Sequence, residues 1–197
     1  IQGACSRLHA RSRLEPGPVL PVRVFVVFDL KETGLMSFNV GDKAVHPAHG
    51  VAEITQIEER LIGSDKIDFY ILKLVNGKAG TIRVAMNAVD RVGLRQVMSR
   101  RAAKTVLEEL AKDEMAVTSQ PWNRRYREYT EMLKSGSPIQ VAKVLRDLAK
   151  VRADKGELSY GEKKLMEQAR KLLITELAVA RRVREETVER DIDKILN

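Results

Sequence analysis

The chain has 197 residues, with 35 Lys and Arg against 27 Asp and Glu, and its formal net charge at pH 7 is +8. Hydrophobic residues make up 44% of it, which is enough for a folded core and excludes wholesale disorder. No apolar run approaches the roughly 20 residues that span a bilayer, and a single cysteine, Cys5, excludes a disulfide framework. We therefore expect a cytoplasmic protein without a membrane partner.

Residues 1–35 differ in character from the rest of the chain. They combine Arg and Pro residues with a short apolar stretch, and Pro21 and Arg23 keep that stretch shorter than the core of a secretory leader. Residue 1 is Ile, and Met36 is the first methionine. We interpret residues 1–35 as a non-native or disordered N-terminal extension and exclude them from the predicted fold.

Residues 36–94 have the turn and strand pattern of a small β-barrel. They carry seven basic and seven acidic residues and therefore no net charge. Turns are predicted at Gly41-Asp42, at 47–50 and at Asn76-Gly77. The stretch 51–62 is ambiguous between strand and helix, but its β-branched residues and flanking glycines favour a long, bent strand. About five short strands predict an SH3-like or Tudor-like barrel.

Residues 95–197 change to helical periodicity and carry 23 basic against 17 acidic residues, a net charge of +6. Each predicted helix has recognisable start or stop residues. These are Ser99, Ser119 to Pro121, Gly136, Ser137-Pro138, Gly156, and a capping box of Ser159 and Glu162, followed by a last helix over 185–196. The fold class is therefore α+β in two domains, a small barrel and then a compact bundle of four to five helices. The basic half indicates a polyanionic partner.

No set of residues has the pattern of a catalytic or metal site. The chain contains no Gly-rich phosphate loop, no Gly-x-Ser-x-Gly and no His-Glu-x-x-His. His46 and His49 are three residues apart across Pro47, without a carboxylate or thiol close enough in sequence to complete a metal site. We predict no enzymatic activity, no metal and no cofactor.

The most unusual local sequence surrounds Trp122, the only tryptophan of the chain. It stands at a predicted helix start, and Arg124, Arg125 and Arg127 follow it. This pattern is typical of an apolar wedge beside phosphate-binding arginines, as in proteins that kink DNA from the minor groove.

A second interpretation of Trp122 remains open. Trp122 shares one helical stripe with Tyr126, Tyr129 and Leu133, so it could be the outermost residue of the hydrophobic core. The two interpretations are compatible if only one edge of the indole is buried.

Five motifs, in this order, resemble the CarD/CdnL family of bacterial transcription regulators over about residue 38 to the C-terminus. They are Gly41-Asp42-x-x-Val45-x-Pro47-x-His49-Gly50, Ile57-Glu58-x-Arg60, Thr81-Ile82-Arg83-Val84, Trp122-x-Arg124-Arg125-Tyr126 and Leu158-Ser159-x-Gly161-Glu162-Lys163. The resemblance implies a Tudor-like RNA-polymerase-interacting domain over 36–94 and a helical DNA-binding domain over 95–197.

The resemblance also implies roles for single residues. Arg60 and Arg83 are expected to contact the lobe of the RNA polymerase β subunit, although by sequence alone they are simply exposed strand arginines. Trp122 is implied as a wedge in the minor groove of promoter DNA at the upstream edge of the transcription bubble. The resemblance implies Arg124, Arg125 and Lys163 near phosphates, and the local arginine pattern adds Arg127.

The implied function is to stabilise the open promoter complex, as a nucleoid-associated monomer. The main alternative is a general DNA-binding architectural protein, which uses the same basic bundle but makes no polymerase contact. A third class, a Tudor-type reader of methylated side chains, needs an aromatic cage. The β half offers only Phe38, Phe69 and Tyr70 for such a cage, and the last two are adjacent and so face opposite sides of a strand.

Overall fold

The structure, a computed structural model, describes residues 37–75, 80–115 and 121–196. The extension 1–35, the turn Asn76-Gly77 and the helix-start residue Ser119 lie outside the described residues. The strands are β1 (Lys43–His46), β2 (Gly50–Ile62), β3 (Asp65–Leu74), β4 (Thr81–Ala85) and β5 (Arg95–Gln96), and the helices are α1 (Val89–Val92), α2 (Arg100–Leu110), α3 (Trp122–Lys134), α4 (Pro138–Lys155), α5 (Tyr160–Arg181) and α6 (Glu185–Leu196).

The five strands form one antiparallel sheet in the order β4-β3-β2-β1-β5. The predicted long, bent strand over 51–62 is confirmed, because β2 covers it and its register with β3 shifts between Ile54 and Gln56. One face of the sheet is lined by a buried apolar cluster that includes Ile54, Tyr70 and Leu72. The last strand, β5, lies beyond Leu94, where the sequence predicts the change to helices.

The helices after β5 begin and end where capping chemistry predicts. Ser99 Oγ accepts a hydrogen bond from the backbone N–H of Ala102 at 3.1 Å, which caps α2. Ser159 and Glu162 form the predicted capping box at the start of α5. The α4 helix starts with Pro138 and is followed by Gly156 at φ +78°, a conformation that favours glycine.

The helices α2 to α6 enclose a second apolar cluster, separate from that of the sheet. Of the predicted stripe of α3, Tyr129 and Leu133 are buried in it and Trp122 packs against it, whereas Tyr126 is 44% exposed. The α+β class with a Tudor-like β domain followed by a helical domain is therefore confirmed. Of the described helices, none combines the length and apolarity that crossing a membrane requires.

The sheet and the helical bundle are joined by a salt bridge between Arg95 of β5 and Glu176 of α5. The guanidinium donates two hydrogen bonds to the carboxylate, at 2.5 and 2.7 Å, and Arg95 Nε donates a third to the carbonyl of Gly136 at 2.8 Å. The side chain of Glu176 is only 5% exposed, so the pair is largely shielded from solvent. This bidentate contact holds the sheet and the bundle in one orientation.

Candidate functional site

Trp122 is the first residue of α3 and lies at the surface of the bundle. Its side chain is partly buried and packs against the helical core. The benzene edge of the indole rests on Gly161 in the first turn of α5. A Cβ atom at Gly161 would lie 2.9 Å from Cζ2 of Trp122, closer than real side-chain contacts allow. The absence of a side chain at Gly161 therefore permits this position of the indole.

Arg125 lies on the indole and is itself buried. Its guanidinium carbon is 5.6 Å from the centre of the Trp122 ring, within the range of a cation–π interaction. Nη2 of Arg125 is 3.3 Å from Oε1 of Glu162, and only 8% of Arg125 is exposed. The sequence predicts this arginine as a phosphate ligand, but here its charge is already paired inside the protein. Spacing alone could not show this, because the partner is 37 residues away.

Glu162 links this pair to the start of α5. Its Oε2 accepts hydrogen bonds from the backbone N–H of Ser159 at 2.9 Å and from the Ser159 hydroxyl at 2.7 Å. Burial by itself would raise the pKa of Glu162, but the Ser159 hydrogen bonds and the charges of Lys155 and Arg125 outweigh it. The pKa therefore lies below its ordinary value of 4.5. Glu162 is ionised at neutral pH and compensates the buried guanidinium.

The other predicted DNA-contacting cations are on the surface, two of them on α3 within five residues of Trp122 and one on α5 two residues after Gly161. Arg124, Arg127 and Lys163 are all exposed. Arg124 Nε lies 3.5 Å from the carboxylate of Glu128, an exposed pair that contributes little to stability. The ring of Tyr126 is 5.5 Å from the indole and 44% exposed. The structure thus places a supported indole on two helix starts that also carry exposed cations.

The two arginines predicted to contact a protein partner lie on the sheet. Arg83 is exposed on β4, an edge strand of the sheet. Arg60 is exposed on β2, and its Nη2 is 2.9 Å from Oε1 of Glu58. Arg83 is paired across strands with Ile71, and Arg60 with Ile67.

The register decides which face of the sheet these two arginines share. Ile67 and Ile71 are four residues apart on β3 and therefore lie on the same face. Tyr70 and Leu72 of the same strand lie in the apolar cluster, on the opposite face. Arg60 and Arg83 consequently share the face of the sheet that is turned away from its core.

The sequence analysis did not predict the roles that two residues have at the Trp122 site. Glu162 is predicted only as a capping residue, and Gly161 only as part of a resemblance motif. The sequence does contain an indication of the role of Gly161. Glycine is disfavoured inside a helix, so its presence in a well-capped first turn indicates that another group closely approaches the backbone there. Among the described residues no group of three His, Cys, Asp or Glu side chains could hold a metal ion.

The structure is thus a Tudor-like sheet followed by a basic helical bundle, with an indole at the surface of the bundle. Comparison with known families agrees. Residues 38–98 match the CarD-like/TRCF RID domain, which supports an interaction with RNA polymerase, and residues 105–193 match the CarD C-terminal domain. The chain belongs to the CarD-like family, and the family supports a role in transcription regulation.

One relative in this comparison is a protein of Bacillus subtilis (strain 168) named "Putative transcription factor YdeB". It is 28% identical to this chain over 152 residues, which is 77% of this chain and 97% of that protein. The similarity therefore extends across both domains.

Proposed function

We propose that the chain binds the lobe of the RNA polymerase β subunit with its sheet and promoter DNA with its bundle, and that it stabilises the open promoter complex. Trp122 acts as a wedge in the minor groove at the upstream edge of the bubble. The observation that carries the proposal is the indole at the bundle surface, supported by Gly161 and Arg125, with exposed cations on the same two helix starts.

The support beneath the indole favours a wedge over an ordinary core residue. A side chain that unstacks a base step must keep its position against the resistance of the duplex. Contact with Gly161 limits movement of the Trp122 indole, and contact with the buried Arg125–Glu162 pair limits it further. A residue that only fills a gap at the rim of the core does not need a buried ion pair against its ring.

The exposed cations supply affinity without sequence preference. Arg124, Arg127 and Lys163 are exposed and can approach phosphates, which position a protein on DNA but carry no base information. We assign Arg125 a different role, because it is buried against Glu162 and holds the indole. It is a positioning residue, and the phosphate contacts belong to the other three.

The sheet offers the kind of surface that binds an extended partner strand. β4 lies at an edge of the sheet, where a strand of another protein can add by backbone hydrogen bonds. Arg83 on this strand and Arg60 two strands away share one face, so both can contact the same partner. We propose this face and edge as the contact with the β subunit.

The mechanism follows from linkage between binding and melting. A protein that binds closed and open complexes equally well changes nothing, whereas a difference of about 1.4 kcal/mol shifts their ratio tenfold. The wedge supplies this difference, because a partly unstacked minor groove exists only after melting begins. Attachment to polymerase raises the local concentration of the bundle, so weak DNA affinity is sufficient.

The test is the lifetime of open complexes on a promoter where they are short-lived, with and without the protein. We expect the wild type to prolong the lifetime, and Trp122→Ala to lose this effect while polymerase binding stays unchanged. Trp122→Phe, which keeps a ring against Gly161, is the control for packing. Unfolding of Trp122→Ala, measured by circular dichroism, would instead identify Trp122 as a core residue.

The alternative function, a general DNA-binding architectural protein, makes the opposite prediction for binding to RNA polymerase. A general DNA-binding protein would bind duplex DNA through the same bundle but would not co-purify with core RNA polymerase. Absence of co-purification from a reconstituted mixture, with DNA binding intact, would replace the proposed function by this alternative.

A further inference from the structure

The two most exposed aromatic side chains of the described residues both lie beside the Trp122 site. Tyr160 is 84% exposed and Tyr126 is 44% exposed, whereas Tyr70 and Tyr129 are at most 2% exposed. Such exposure of a large apolar ring is unfavourable in water and marks an interaction surface when several rings cluster. Tyr126 contacts the indole, and Tyr160 precedes Gly161 at the start of α5, so exposed aromatic residues lie on both of the helix starts that meet at Trp122.

Tyr160 occupies a defined position next to the wedge. It is the first residue of α5, between the cap residue Ser159 and Gly161, where an added Cβ atom would meet the indole. Adjacent Cα atoms are about 3.8 Å apart, so the Tyr160 backbone is one residue away from the contact with Trp122. The capping box holds this turn in place, and the ring therefore projects from a rigid support.

The charges around Tyr160 favour a nucleic acid as the occupant. Lys163 and Lys164 follow it in the next turn and are both exposed, and Arg124 and Arg127 are exposed on α3. The acidic residue of this turn, Glu162, is buried and paired with Arg125. Glu157, just before the turn, is an exposed carboxylate, but the exposed cations outnumber it.

We propose that Tyr160 is a second aromatic DNA contact, which stacks on an unpaired base released next to the Trp122 wedge. This inference rests on the proposed function and adds a substrate preference to it, for a duplex-to-single-strand junction over continuous duplex. An exposed ring stacks on any base, because every base offers a π-face. The proposed contact is therefore independent of sequence and available only after strand separation.

The experiment compares two DNA probes of one sequence, a fully paired duplex and a fork with one unpaired arm, by fluorescence anisotropy with the full chain. We expect Tyr160→Ala to weaken fork binding about fivefold or more and to leave duplex binding unchanged. Tyr160→Phe keeps the ring and should keep the fork preference. Because no phosphate contact is lost, the salt dependence should stay the same.

The matched control is Leu61→Ala, which removes a side chain that is 70% exposed on the distant strand β2. It should leave both affinities unchanged. Alanine is a good helix former, so Tyr160→Ala should fold normally. If Tyr160→Ala lowers the affinity for both probes equally, Tyr160 contacts duplex DNA. If it lowers the affinity for polymerase, Tyr160 contacts a protein. Either result overturns the inference.

The open-complex lifetime separates this inference from the proposed function. If Trp122→Ala shortens the lifetime and Tyr160→Ala changes neither the lifetime nor fork binding, the second contact is wrong and the wedge stands. If Trp122→Ala has no effect on the lifetime, the proposed function itself fails.

Discussion

Gly161 and Trp122 are in contact across two helices, so closely that a methyl group on Gly161 would lie 2.9 Å from Cζ2 of the indole. This contact joins the start of α5 to the start of α3, two segments that are far apart in the chain. It makes the position of the indole depend on a residue that carries no side chain. The first prediction follows directly from this geometry.

Gly161→Ala should separate the function of the indole from the stability of the fold. Alanine is favoured over glycine inside a helix by about 1 kcal/mol, which offsets part of the steric cost. The added methyl group must displace the indole, so the lifetime of open complexes should fall towards that of Trp122→Ala. Thermal unfolding and open-complex lifetime should be measured on the same samples. An unchanged lifetime with normal folding would show that the contact does not position the wedge.

The second prediction concerns the pH dependence of stability that Glu162 causes. The pKa of Glu162 is lower in the folded chain than its ordinary value of 4.5. Its stabilising contribution is therefore complete above about pH 4.5 and is lost as the pH falls through the lower, folded-state pKa. Glu162→Gln leaves the buried Arg125 without a counter-charge and should cost about 3 kcal/mol at neutral pH.

The measurement is urea unfolding of wild type and Glu162→Gln from about pH 3 to pH 7. The difference between them should shrink as the pH falls, because protonated Glu162 resembles glutamine. The control is Glu128→Gln, which removes a partly exposed carboxylate paired with the exposed Arg124 and should change stability by less than about 1 kcal/mol. A difference that stays constant across this pH range would mean that Glu162 does not compensate Arg125.

The third prediction tests the polymerase contact. Arg83→Glu reverses a charge on the exposed edge strand β4 and should weaken binding to the β lobe at least tenfold, a change of about 1.4 kcal/mol. Affinity for free duplex DNA should not change, because the bundle is untouched. Lys43→Glu makes the same charge change on β1, near the other edge of the sheet, and serves as the control. Equal polymerase affinity of Arg83→Glu and wild type would remove Arg83 from the interface.

The fourth prediction concerns the link between the two domains. Glu176→Gln keeps the shape of the side chain but removes the charge that binds Arg95. We expect polymerase binding and duplex binding, measured separately, to stay within about twofold of wild type, whereas the open-complex lifetime falls. A loosened link lowers the effective concentration of the wedge at the fork.

Glu108→Gln is the matched control for this variant, because it alters an exposed ion pair with Lys104 on α2. It should have no effect on any of the three measurements. A lifetime unaffected by Glu176→Gln would show that the orientation of the domains does not matter for the proposed mechanism.

Local patterns in the sequence were sufficient for the order and type of most elements. The caps at Ser99 and Ser159 and the bent strand over 51–62 were all correctly predicted. These features depend on hydrogen bonds and hydrophobic periods within a few residues, so the sequence contains them directly. The pairing of β5 with β1 was not foreseen, because two residues, Arg95 and Gln96, have no periodicity to recognise.

By itself the sequence determined that a neutral β half precedes a basic helical half, and that the indole stands at a helix start among arginines. Only the tertiary structure decided that Arg125 is a buried support while Arg124 and Arg127 stay exposed. Glu162, the partner that distinguishes Arg125 from the other two, comes from another helix. Equal residue types acquire different roles because burial and charge pairing depend on which distant side chains the fold brings together.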